Sequence, residues 1–328
     1  CLIMNKFNFP KLSIFIATYN RSSKLKRVIE FVHMDALKNG IRDKIEIIIS
    51  DNNSVDQTQN ILKSFKEKNF INDFFKNNNN IGSDKNMLTA CWRTKADFVW
   101  LLCDDDIPKD GAIGEILEII SKNNSKTSLI YLNNTKEYES GLLRRGAIYS
   151  KDNGGILEAS KCIKLVKDEL ITASSLVFHR EALHGETTRK FGYSGRFSAP
   201  LCIALDAISI NRNAFITPEP LLRYIYGDTS EWSHHWYSIW IINIPMIFIW
   251  SSKNYGFDLN SYSPSELTRE KAQAFLKMII NPRFWPINSL DWIWILLHII
   301  KSKKSIYNIF KTFLITNLLG KIIKKFYS

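Results

Sequence analysis

The sequence predicts an α/β fold built on a mainly parallel sheet. Three observations lead there. Short apolar runs alternate with segments in which apolar residues recur every three to four positions. The runs are nearly continuous rather than alternating, as strands covered on both faces are. Polar clusters follow three of the runs directly, at 18–21, 51–54 and 104–106, and open α/β sheets bind ligands beyond the carboxyl ends of their strands.

The elements follow in order. Leu12 to Ala17 reads as the first strand and runs into Thr18-Tyr19-Asn20-Arg21. A helix to about Leu37 follows, with Leu25, Val28, Ile29 and Val32 on one face. Residues 45–50 repeat the strand signal and end in Asp51-Asn52-Asn53-Ser54, before a helix over 55–68. Residues 73–76 suit a short third strand, Asn77 to Asn80 a polar turn, and Gly82 to Thr94 a third helix. The fourth strand, 98–102, is broken by Cys103-Asp104-Asp105-Asp106; a helix from about Gly111 to Ile120 and a strand at 128–132 come next. Alternation of this kind marks a parallel sheet with helical crossovers. Beyond 140 the pattern is less regular: a strand at 171–178, a helix over 200–211, and short strands at 215–216 and 221–226 around Pro218 and Pro220.

A chain of 328 residues predicts two domains, or one large domain with an extension. With 45% hydrophobic and 23% charged residues it is globular, and neither disorder nor a repeat array fits. The five cysteines, at 1, 91, 103, 162 and 202, are odd in number and lack paired spacing. A disulfide framework and a cysteine zinc site are therefore not expected, and a reducing compartment is. A signal peptide is not expected either; Cys1 reads as an upstream start or a truncation, with Met4 a plausible initiator.

Of the formal charge of +12, seven come from lysines in 301–328, a stretch with no Arg, Asp or Glu. Trp236 to Trp250 and 292–300 are apolar runs, the first broken by Asn243 and Pro245, and both fall short of the ~20 residues that span a bilayer. Over 303–319 a helix would place Ile306, Ile309, Phe310, Phe313 and Leu314 on one face, with Lys304, Asn308 and Lys311 on the other. Lysines interleaved with apolar residues suit an anionic membrane surface rather than nucleic acid. The expected organisation is a leader (1–10), a catalytic-type domain (11–230) and a helical, membrane-associating region (231–328).

The polar clusters carry the chemistry. Three adjacent carboxylates after a buried strand are tolerable if a divalent cation such as Mg²⁺ or Mn²⁺ neutralises them, with substrate phosphates completing its shell. The alternative is a solvated acidic turn at the head of the helix near Asp110-Gly111. Asp51 can accept hydrogen bonds from a base or ribose, while Ser54 caps the helix over 55–68. No Gly-x-Gly-x-x-Gly follows the first strand, which argues against a dinucleotide enzyme. Gly82, after Asn80-Ile81 and before Asn86, suits a positive φ at a helix entrance. Asp206 lies in an otherwise apolar helix, where burial would raise its pKa and fit it for general-base work, or where it faces solvent on an amphipathic helix. His234-His235 offers a metal ligand or phosphate contact, or an ordinary loop.

Residues 12–21, Asp51-Asn-Asn-Ser with Asp56 and Thr58, Asn80-Ile-Gly82 with Asn86, and Phe98-Val-Trp-Leu-Leu-Cys-Asp-Asp-Asp-Ile-Pro together resemble the family 2 glycosyltransferases. The match in order and spacing covers roughly 11–125. Beyond it, Ala173 to Leu183 and Pro218-Glu-Pro-Leu-Leu-Arg-Tyr resemble the acceptor half of bacterial surface-polysaccharide members, leaning toward abequosyltransferase-like O-antigen enzymes. The resemblance implies a GT-A fold and inverting transfer from a nucleotide-diphosphate sugar to a saccharide acceptor on a polyprenyl lipid. It implies nucleotide-sugar ligands at Thr18, Tyr19, Asn20, Arg21, Asp51, Asn53, Gly82, Asn86 and Asp104, a metal among Asp104, Asp105 and Asp106, and Asp206 as base. Cys103 stands where the family's longer pattern starts with Asp, so the metal ligand stays open among Asp104, Asp105 and Asp106. Glu219 and Glu231 are the nearby carboxylates that become candidates if Asp206 is dispensable. The Trp-rich apolar runs, the 303–319 helix and the seven lysines lead to the expectation that the C-terminal region lies on the cytoplasmic face of a bacterial inner membrane. A catalytically idle, membrane-bound relative is the other reading.

Overall fold

The computed structural model describes residues 10–123, 125–138, 143–145, 154–194, 197–226, 239 and 243–258. Contacts divide the chain into two units, Cys1–Asp228 with Asn254–Phe257, and Thr229–Lys253 with Asp258–Ser328.

The first unit begins with β1 (Leu12–Thr18), whose apolar side chains are buried on both faces. Helix α1 (Ser22–Lys38) lays Leu25, Val28, Ile29 and Val32 into the core, the face its periodicity predicts. β2 (Ile45–Asp51) is buried throughout. Helix α2 (Thr58–Glu67) starts three residues later than expected, with Asp56 accepting from the amide and hydroxyl of its first residue, Thr58. β3 (Asp73–Lys76) is an edge strand. The helix expected over 82–94 is two pieces, α3 (Ser83–Leu88) and α4 (Ala90–Arg93). They part at Thr89, whose hydroxyl bonds back to the Asn86 carbonyl (2.8 Å) and lies 3.1 Å from Ser50 Oγ; such back-bonding bends helices.

β4 (Phe98–Leu101) and the two-residue β5 (Ile107–Pro108) bracket the acidic loop. Then come α5 (Ala112–Asn123), β6 (Leu129–Tyr131), β7 (Asn134–Tyr138), β8 (Leu143–Arg145), β9 (Gly155–Glu158) and α6 (Ala159–Val166). The strand expected over 171–178 opens only at Leu176: 3-10 turns occupy Lys167–Ile171 and Ala173–Ser175, and β10 is Leu176–His179. Short α7 (Glu186–Phe191), α8 (Ala199–Asn211), β11 (Asn213–Ile216) and β12 (Leu222–Tyr226) complete it.

The large sheet has the order β3-β2-β1-β4-β10-β6-β11-β9. β3, β2, β1 and β4 are mutually parallel, as are β6 and β11, while β10 runs antiparallel between β4 and β6. The parallel register sets Thr18 opposite Asp51 and leads β4 out on the same edge, so the three polar clusters emerge side by side. The small sheet runs β5-β12-β7-β8. The acidic loop is therefore strung between two sheets, anchored at one end by β4 and at the other by β5. Beneath it, Ile14, Ile16, Ile47, Ile49 and Trp100 pack with α1 and with Ile113 and Ile116 of α5. Each such buried side chain contributes about 1.5–3 kcal/mol of hydrophobic stabilisation.

Within the second unit, α9 (Ile244–Tyr255) begins where the apolar run was expected to break. Pro245 sits in its first turn, where a missing N–H costs nothing. Among the described residues no helix is long and apolar enough to cross a membrane. His234-His235, Glu231, the runs over 292–300 and 303–319 and the terminal lysines lie outside the described residues.

Candidate active site

Three parallel strands deliver the site. At the end of β1, Thr18 donates its hydroxyl to Asp104 Oδ2 (2.6 Å). Arg21, three residues on, donates Nη1 to Asp104 Oδ1 and to Asp105 Oδ2, both at 3.0 Å. Lys24 Nζ stands 3.9 Å from the same Asp105 oxygen. Asp104 is 3% exposed, and its burial holds the carboxyl up at about 6 against the pull of Arg21. Burial works to lower the Arg21 pKa as well, but the charges of Asp104 and Asp105 outweigh it and the net direction is up. Asp106 accepts from Ser174 Oγ (2.7 Å); burial, then the charge of Asp105, pushes its carboxyl well up. Ser174 Oγ in turn accepts from the Cys103 amide (2.8 Å).

Cys103 Sγ and one carboxylate oxygen each of Asp105 and Asp106 lie within 4.8 Å of one another, a set that could hold a cation. Burial keeps the Cys103 thiol protonated, so the hard donors are the two carboxylates. One or two carboxylates with the rest of the shell left to water and phosphate is the donor set that Mg²⁺ or Mn²⁺ accepts. Asp104 differs from its neighbours: both its oxygens are already engaged, by Thr18 and Arg21.

Asp51 is fully buried at the end of β2, accepting from the Ser54 amide (2.9 Å) and the Gln59 side chain. Ser54 does not cap α2. Its hydroxyl accepts instead from the Asn20 amide (2.8 Å), while Asn20 Oδ1 accepts from the Val55 amide (2.9 Å). Asp56 completes the stitch, taking the Ser22 amide at 2.9 Å. Asn20 and Asn53 have φ of 52° and 68°, a left-handed conformation their residue type tolerates. Tyr19 is half-buried between Thr18 and Asn20.

Asn86 is buried, and its side chain bonds Ser50 through Oδ1 (2.7 Å) and through Nδ2 to the carbonyl (3.0 Å). Asn77 bridges Asn86 and Asn52, and Asn52 Nδ2 reaches Asn80 Oδ1 at 2.7 Å. This amide ladder shapes the loop leading to Gly82, whose φ of 85° matches the expectation from sequence.

Asp206 is buried, as the base reading expects: it is 1% exposed on α8, a helix buried on every side from Ala199 to Ile208, so the solvent-facing alternative fails. Its Oδ1 accepts from the Thr187 amide (3.1 Å) and the Tyr255 hydroxyl, and its Oδ2 from the Thr188 amide (2.7 Å). It caps the first turn of α7, where free amides and the helix dipole favour a carboxylate. Another carboxylate, Asp84 of α3, meets the amides of Ser198 and Ala199 at the head of α8, both at 3.2 Å. Ser174 and Gln59 are the site residues that sequence reasoning missed; the polar Ser174-Ser175 pair ahead of an apolar run was the available signal.

A groove of about 540 Å³ lies elsewhere, at the starts of β2 and β3, lined by Glu46, Asp73, Trp92 and Arg93 among others; none of the acidic-loop residues borders it.

Residues 13–167 match the model of the family described as glycosyl transferase family 2. This stretch is a family 2 glycosyltransferase domain. The glycosyltransferase domain is 30% identical over 110 residues to the GalNAc(5)-diNAcBac-PP-undecaprenol beta-1,3-glucosyltransferase of Campylobacter jejuni, 33% of this chain and 34% of that protein. It is also 30% identical over 128 residues to the abequosyltransferase RfbV of Salmonella typhimurium, 38% and 36% of the two chains. The match thus spans about a third of the length of these curated relatives. In fold, the chain is similar to Staphylococcus aureus TarS 1–349 in complex with UDP-GlcNAc, with a TM-score of 0.55 at 14% identity, covering 81% of this chain and 79% of that one. A mannosyltransferase from Pyrobaculum calidifontis in complex with GDP-Man and Mn²⁺ gives a TM-score of 0.53 at 10% identity over 97% and 88%. The architecture is the GT-A fold.

Proposed function

We propose that the chain is an inverting glycosyltransferase that moves a sugar from a nucleotide-diphosphate sugar to a lipid-linked saccharide in cell-surface polysaccharide synthesis. The observation that carries this is the meeting of Thr18, Arg21, Asp51 and the acidic loop at the ends of three parallel strands, within a family 2 domain. Asp51 accepts from the donor's base or ribose, exchanging the Gln59 contact for it. Arg21 offers a planar set of donors to the diphosphate. A bound Mg²⁺ or Mn²⁺, held by Asp105 and Asp106, would supply charge neutralisation for the leaving diphosphate. Ser174 holds Asp106 and the Cys103 amide so that the carboxylates keep their places while charge develops.

Inversion needs a carboxylate near the acceptor hydroxyl to take its proton. With Asp206 committed to α7, Glu219 is the next candidate. It is exposed in the turn before β12, and this turn is tied to the residues after the acidic loop through Lys109 N and Leu221 O (2.9 Å). A lipid-linked acceptor is supported by the undecaprenol-linked substrate in the name of the Campylobacter relative. The seven lysines of 301–328 support a peripheral place on an anionic inner-membrane surface at its cytoplasmic face.

A catalytically idle domain is the second reading, favoured by the engaged state of Asp206. Incubation with a panel of nucleotide sugars separates the two: metal-dependent thermal protection followed by transfer or hydrolysis supports the enzyme, and protection without turnover supports the idle domain. Flotation with anionic and neutral liposomes tests the membrane; full-length protein that floats with neither rules the surface out.

A further inference from the structure

Asp105 is claimed twice. One of its oxygens belongs to the set with Cys103 and Asp106 that lies within 4.8 Å and could hold a cation. Its Oδ2 also lies 3.0 Å from Arg21 Nη1, and the same nitrogen reaches Asp104 Oδ1 at 3.0 Å. The guanidinium thus sits across two carboxylates, in the manner of a counter-ion shared between them. A divalent cation takes carboxylate oxygens at about 2.0–2.3 Å, so on Asp105 it would meet Arg21 within a few ångströms, positive against positive.

Both bids cannot be met fully, and the two carboxylates are not equally open to exchange. Asp104 is 5% exposed in its side chain and is held by Thr18 as well, so its bond to Arg21 neutralises a charge that is costly to bury alone. Asp105 is 29% exposed in its side chain and faces Arg21 and the more distant Lys24. Arg21 itself is 36% exposed and stands ahead of α1, outside the core, with a long side chain free to re-aim.

We propose that Arg21 is a built-in counter-ion of the acidic loop that competes with the divalent cation for Asp105, so that cation binding requires Arg21 to leave Asp105. The inference rests on the reading of 105–106 as the cation site. It adds a consequence: the loop's affinity for cation is set below what its carboxylates alone would give. A donor diphosphate, offering Arg21 another anion, would raise it.

The test uses Mn²⁺ alone, without nucleotide sugar, titrated into the full chain while free Mn²⁺ is followed by electron paramagnetic resonance. Arg21→Gln should bind about tenfold more tightly than wild type, the direction that removing a like charge from beside the site demands. Lys24→Gln, removing the same charge at 3.9 Å from one carboxylate, should tighten binding clearly less. Arg21→Lys, which keeps the charge and loses the planar fork, should fall between wild type and Arg21→Gln, and it serves in place of Arg21→Gln if that variant does not fold. Unchanged or weaker Mn²⁺ binding in the Arg21 variants, or equal tightening by Lys24→Gln, overturns the competition. Asp105→Asn separates that failure from failure of the site: binding that survives it, or no binding by any variant, removes the cation site itself and the inference with it.

Discussion

The acidic loop and α8 bury carboxylates to similar depth and surround them differently. Asp104 and Asp106 are 3% and 5% exposed, and Asp206 is 1% exposed. The loop carboxylates are met by side chains from elsewhere in the fold, Thr18, Arg21 and Ser174. Asp206 is met by two backbone amides of α7 and by the Tyr255 hydroxyl. A side chain can rotate away and let a ligand take its place. A helix-terminal amide cannot leave without unwinding the helix it starts. Depth of burial therefore does not separate the two settings; the freedom of the partners does.

Asp105→Asn should break the loop side of this comparison most severely. Transfer should fall by at least about 10²–10³-fold, the scale of losing electrostatic stabilisation at a developing charge. It should not recover at any Mg²⁺ or Mn²⁺ concentration, while the melting temperature in chelator moves little. Full turnover in EDTA would contradict the metal role.

On the other side, Asp206→Asn should cost stability, about 1–3 kcal/mol for a buried partner left unsatisfied, with turnover of the folded protein kept. Gly185→Ala should do at least as much damage, because its Cβ would lie 2.2 Å from Asp206 Cγ. Denaturant midpoints and turnover are measured side by side. A rate loss of about 10²–10⁴-fold with unchanged stability would make Asp206 a base after all and erase the contrast.

Gly82→Ala sharpens the comparison at the rim of the site. At φ 85° and ψ 157° the backbone is in a region that only glycine adopts freely, yet nothing lies within 4 Å of an added Cβ. The cost should be strain alone, about 1–3 kcal/mol. A neutral result in chemical denaturation would mean the loop re-forms with another backbone.

The smallest effect concerns pH. Asp104 has its carboxyl raised by burial to about 6 from an ordinary 3.8. Between those values the folded protein holds more protons than the unfolded chain, so this group's contribution makes stability fall as pH rises through the window. Asp104→Asn removes the contribution. The difference in melting temperature, Asp104→Asn minus wild type in chelator, should grow more positive from pH 4 to 7. A flat difference would place Asp104 in a far more polar setting.

Much of the large sheet was legible. β1, β2 and β4 announce themselves as unbroken apolar runs, because a strand covered on both faces has no wet side to show. Strands that share a direction leave the polar clusters that follow them on one edge of the sheet. The antiparallel β10 between β4 and β6 was not legible, nor was the small sheet, because pairing partners depend on topology and not on the run itself. Thr89 was invisible as a break, since its bond to Ser50 spans two elements.

The residues by themselves determined what is local: the apolar periods, the asparagines and glycine that accept positive φ, and the acidic triplet at the end of a strand. Tertiary structure alone decided what surrounds each carboxylate. Thr18 and Asp104 are 86 residues apart, and Asp206 finds Tyr255 49 residues on. A carboxylate's charge and availability depend on what stands within a few ångströms, and hydrogen bonds and Coulomb forces act over that distance without regard to separation along the chain.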